Sequence, residues 1–71
     1  MRVVDDVKLR KLIADNFLNL TELAREADLS LVTVMRTANG KNNPSVRTLK
    51  KICKVLGCEP KDIIKEVNEN E

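Results

Sequence analysis

The side chains best placed to do chemistry in this sequence are basic. Arg36, Lys41, Arg47, Lys50, Lys51 and Lys54 fall within residues 29–58, and that stretch holds no acid. It carries +6 in a 71-residue chain of net charge +2, so the other residues carry −4. Cations without interspersed acids set up a positive field suited to a polyanion. The same residues could form an ordinary solvated helix face, but the length of the run favours binding. Other chemistries find little to work with. There is no His, and Cys53 and Cys58 are the only cysteines, so a zinc site lacks ligands. Both cysteines occupy apolar positions of a helical pattern and its exit, as buried reduced thiols do. No nucleophile–base pair or phosphate-cradling Gly-rich loop appears, and a domain of this size has little room for a substantial pocket. Neither an enzyme nor a cofactor is expected. Phe17 is the only aromatic residue, which argues against stacking on single strands or RNA.

These cations must be held by helices, which the apolar spacing predicts along one small domain, residues 1–71. Val7, Leu9, Leu12, Ile13 and Phe17 form a helical stripe behind Asp5 and Asp6, giving a first helix over about residues 6–16. Residues 1–4 read equally as a loose end or a brief strand. The central stretch, 19–44, reads as two short helices around a sharp turn, followed by a polar loop. Asn19 and Glu22 have capping-box spacing, opening a helix over about 20–27 with Leu20, Leu23, Ala24 and Ala27 inward. Asp28 stands where the turn needs a positive φ, which Asp tolerates better than most residues. Ser30 caps the next helix, about 31–38. Val34 is its core residue, with Thr37 and Ala38 near the packed side, so Leu31, Val32, Met35 and Arg36 are left outward. Gly40 ends it in a left-handed conformation. The loop Asn39–Pro44 brings backbone amides, Asn side chains and Lys41 together, a set that can cradle phosphate. Ser45 caps a helix over about 46–56, with Val46, Leu49, Ile52, Cys53 and Leu56 on one face. Gly57 ends it, and Pro60 opens a fifth helix over about 60–67 carrying Ile63, Ile64 and Val67.

Residues Leu9-Arg10-Lys11-Leu12, Leu23-Ala24, Leu29-Ser30, Thr33-Val34, Asn39-Gly40-Lys41, Asn43-Pro44-Ser45, Thr48-Leu49, Ile52 and Leu56-Gly57 together carry a resemblance. The chain resembles the Cro/CI (phage-repressor-like, XRE) family of helix-turn-helix DNA-binding domains, without a gap from about Leu9 to Ile64. The resemblance implies an all-α, compact five-helix, lambda-repressor-like fold. Its third helix would enter the major groove of double-stranded DNA, as in a sequence-specific transcriptional regulator. It implies base reading by Leu31, Val32 and Arg36, with Thr33 and Met35 near the groove walls. It implies backbone contacts from Leu20, Thr21, Ser30, Asn39, Lys41, Asn42 and Asn43, and a homodimer through helix 5.

Three positions depart from the family pattern. Leu20 replaces a Gln that contacts phosphate. Ile13 and Ala38 replace an Arg–Glu pair, and losing both partners at once avoids leaving a buried lone charge. Leu31 and Val32 are apolar where base-reading residues are commonly polar. Apolar groups can meet thymine methyls, so A·T-rich readout is compatible with them. The alternative is an antitoxin or adaptor whose main partner is a protein bound through the Leu31/Val32/Met35 face. No secretion signal, membrane-length apolar span or lipid-anchor motif is seen, and a cytoplasmic protein is expected.

Overall fold

Each of the four helices starts on a side-chain cap. In the computed structural model, which describes residues 2–41 and 43–67, α1 spans Asp6–Asp15, α2 Leu20–Glu26, α3 Leu31–Ala38 and α4 Val46–Leu56. The Asp5 carboxylate accepts from the Lys8 amide at 3.2 Å. Asn19 accepts from the Glu22 amide at 2.8 Å, and the Asn19 amide donates back to Glu22 Oε1 at 3.1 Å. Ser30 and Ser45 accept from the amides of Thr33 and Thr48 at 3.1 and 3.2 Å. Such caps satisfy amides that have no partner inside the helix, at about 1 kcal/mol each.

The helices end on left-handed residues. Phe17, Asp28, Gly40 and Gly57 have φ of 58°, 56°, 67° and 69°. At α1 the amides of Phe17 and Leu18 return to the carbonyls of Ala14 and Ile13. At α2 those of Asp28 and Leu29 return to Arg25 and Ala24, and at α3 those of Gly40 and Lys41 return to Thr37 and Arg36. These are the paired bonds of the Schellman motif. At α4 both Gly57 and Cys58 donate to the Cys53 carbonyl. Asp28 and Gly40 thus take the conformations their types predict. Phe17 does not, and its ring stands 93% exposed rather than extending the α1 stripe.

The expected fifth helix is absent. Pro60–Ile63 forms a 3-10 turn, and Ile64–Glu66 forms a strand, β2, antiparallel to β1 at Arg2–Val4. The register pairs Val4 with Ile64 and Arg2 with Glu66. In a segment this short, tertiary partners rather than propensity decide between helix and strand. The β-branched residues Val3, Val4 and Ile64 find ladder positions instead, Ile63 is buried in the core, and the Asp5 backbone N–H donates to the Ile63 carbonyl at 2.8 Å. The dimer surface expected on helix 5 therefore changes character. Ile63 is fully buried in the core, and Ile64 packs against it from the strand.

Leu9 and Ile13 of α1, Leu23 and Ala24 of α2, Val34 and Ala38 of α3, and Leu49, Ile52, Cys53 and Leu56 of α4 share one core with Val4, Ala27 and Ile63. Val7 and Val46, expected on inward stripes, are 71% and 64% exposed. Both sit in the first turn of a helix, where the core does not reach them. Asn16 donates to the carbonyls of Leu12 and Leu56, at 2.8 and 3.3 Å, and so ties the ends of α1 and α4. Among the described residues no helix is long and apolar enough to cross a membrane.

Of the two free cysteines, Cys53 is buried and Cys58 half-buried. Burial, the hydrogen-bonded Cys58 thiol and the Asp62 carboxylate push the Cys53 thiol from 9.0 up to about 12. The fold thus favours the protonated thiol. That stability is present below the ordinary thiol range and is lost as pH rises towards the raised value. Urea midpoints at pH 8 and pH 10 are expected to differ by a larger drop in the native chain than in the Cys53→Ala variant. Phe17→Gly should raise stability by about 1 kcal/mol, since it removes a left-handed Cβ and no packing; a lower melting temperature would contradict this account of the α1 end.

Candidate nucleic-acid interface

The buried half of α3 determines what its other half displays. Val34, Thr37 and Ala38 are at most 1% exposed. Thr37 keeps its hydroxyl satisfied by donating to the Thr33 carbonyl at 2.8 Å. With that face locked, helical spacing turns Leu31, Val32, Met35 and Arg36 outward together. Leu31, Val32 and Met35 are 41%, 56% and 43% exposed, and Arg36 is exposed beside them. Ser30 and Thr33 meet at the entry of α3, their hydroxyls 2.7 Å apart. Thr33 is therefore half-buried and engaged with the cap, while Ser30 is exposed.

The α2–α3 turn is held by its own backbone and by α4. Asp28 carries the positive φ, Leu29 packs into the core edge, and Lys51 Nζ reaches the Asp28 carbonyl at 3.5 Å. Lys51 and Lys54 line a shallow groove with Glu26, Ala27, Asp28 and Val55. The basic stretch is therefore divided: these two cations share a groove with Glu26 and Asp28, while Arg36 lies on α3 and Lys41 just beyond it.

At the start of α2, Thr21 is exposed, and Leu20 is half-buried against the core. The Leu20 side chain is thus a packing group, leaving its first-turn amide as the polar feature it can offer a phosphate. Past α3, Asn39 is the cap residue, Gly40 lies beside Asp6, and Lys41 and Asn43 are exposed. The expected contact at Asn42 lies outside the described residues.

One participant in this region was not expected from the sequence. Arg10 of α1 donates from Nε to the Ala38 carbonyl at 3.1 Å and from Nη2 to Asn39 Oδ1. A cation at a helix C-terminus is also favoured by the helix dipole. Nothing in the local pattern signals this contact, because its partners are 28 and 29 residues away. Ile13 and Ala38, the positions that replace an Arg–Glu pair, are both buried in the core, 5% and 0% exposed.

Taken together, the structure presents a short helix with an acid-free outer face, entered by a capped turn and followed by a polar loop bearing Lys41. A family model for the Cro/C1-type helix-turn-helix DNA-binding domain matches residues 8–69. Among solved structures, the chain is similar to the transcriptional regulator VanUg, at 31% identity, covering 96% of this chain and 89% of that one with a TM-score of 0.77. It is also similar to the restriction-modification controller protein C.AhdI from Aeromonas hydrophila, at 26% identity, covering 80% and 86% with a TM-score of 0.74. No curated protein matches. On the extent of that match and the helix-turn-helix geometry that carries it, the chain belongs to the Cro/C1-type helix-turn-helix DNA-binding family.

Proposed function

We propose that this protein is a sequence-specific regulator of transcription that places α3 in the major groove of double-stranded DNA. The observation that carries the reading is the outward face of α3, where Leu31, Val32, Met35 and Arg36 project together from a helix without acids. Apolar Leu31 and Val32 suit thymine methyl groups, and Arg36 suits the two acceptors of a guanine. Thr33 and Met35 flank them at the groove walls. Thr21, Ser30, Asn39, Lys41, Asn43 and the Leu20 amide then serve the phosphates, which fix position but not sequence. The α2 amide and the α3 entry suit this task because helix N-termini favour anions.

The reading extends to a cytoplasmic protein acting as a homodimer on a pseudo-palindromic operator. With no helix 5, such a pair would have to form through other surface, and half-site spacing of about 10 base pairs or a multiple would report it. The exposed apolar trio supports a second reading, in which a protein partner covers Leu31, Val32 and Met35. Partner and duplex would then compete for α3.

Selection of bound duplexes from a random pool, followed by titration at several salt concentrations, tests the proposal. Affinity should fall steeply with salt, by about one power of salt concentration for each phosphate engaged. Arg36→Ala should lower discrimination at one base pair by about 1–3 kcal/mol. Lys41→Ala should weaken selected and unselected duplexes alike and flatten the salt slope by about one. Absence of duplex binding at low salt would rule out this function.

A further inference from the structure

We propose that Arg10 is a positioning residue for DNA binding, acting through Asn39. This rests on the DNA-binding reading above and goes beyond it by giving α1 a part in the contact. Arg10 holds two acceptors at once: the Ala38 carbonyl, at 3.1 Å from Nε, and the Asn39 carboxamide oxygen, from Nη2. The guanidinium only donates, so it determines which way the Asn39 amide faces. With Oδ1 held on Arg10, the Nδ2 group is the part of Asn39 left to the exterior, and it too only donates. Asn39 is exposed, next to Gly40 and Lys41 at the start of the polar loop. A side chain so fixed offers an N–H donor to a phosphate oxygen with its rotamer freedom already spent.

Position explains why this falls to Arg10. Ile13 and Ala38 are buried and apolar, so their side chains supply packing and no polar tie between α1 and α3. One helical turn earlier on α1, Arg10 reaches past that contact to the last turn of α3. Asp6, a further turn back, lies beside Gly40. The N-terminal half of α1 therefore runs along the exit of α3, and Arg10 is the cation that ties the two.

A double-mutant cycle on duplex affinity tests this, using Arg10→Met, Asn39→Ala and the pair on a selected duplex. Each single change is expected to weaken binding about tenfold, the loss of one charge-assisted contact. The double variant should bind no more weakly than Asn39→Ala alone. The salt slope of Arg10→Met should match that of the unaltered protein, because Arg10 does not itself neutralise a phosphate. Asn39→Asp supplies a second measurement. Its carboxylate keeps the clamp, so melting temperature is held or raised, yet it removes the donor and adds negative charge, so binding should fall tenfold or more. Additive losses in the cycle, or a slope lowered by about one in Arg10→Met, overturn the positioning role while leaving DNA binding intact. Failure of the unaltered protein to bind any duplex removes the DNA-binding reading, and this role with it.

Discussion

Everything in this fold depends on closing short helices. The helices run only 7 to 11 residues, so a large share of their backbone groups lie in end turns without intrahelical partners. The chain meets this at both ends of all four. Side chains of Asp5, Asn19, Ser30 and Ser45 take amides at the starts. Left-handed residues at Phe17, Asp28, Gly40 and Gly57 return amides to carbonyls at the ends. Each closure also aims the next segment, and α3 owes its direction to the turn at Asp28. Its exit towards Lys41 follows from Gly40. Without such closures, segments this short would gain too little from propensity to stay helical.

What could be read from the sequence follows the reach of each interaction. Caps act over three residues, so Asn19 with Glu22, Ser30 and Ser45 were legible as written. Asp28 and Gly40 were legible because their types tolerate a positive φ. The outward set on α3 followed from Val34, Thr37 and Ala38 facing in. Phe17 departs from the helical stripe because an apolar residue at helical spacing resembles core, while its backbone obeys the turn that follows. Val46 departs likewise, since a first-turn position at α4 lies beyond the packed layer. The fifth helix failed because its competitor, β1, lies at the other end of the chain, and pairing at that distance leaves no local mark. The Arg10 contacts leave no local mark for the same reason.

The candidate site is better defined as a platform than as a code. Capped entry, left-handed exit and buried inner face fix where α3 lies to within the freedom of its side chains. The outer face is chemically spare: three apolar groups and one guanidinium. Under the proposed function such a surface would draw much of its selectivity from methyl contacts and from how the helix is seated, so the residues seating it would matter as much as those touching bases.

The strand pair has a different consequence, for the order in which the molecule assembles. Val4 and Ile64 sit opposite one another across a separation of sixty residues, whereas the caps and turns act within a few. Closing so long a loop is entropically costly until the intervening helices have already condensed. By that argument the sheet is expected to form late, as a clasp that adds to the finished core through Val4 and Ile63, and to open early as the chain unfolds.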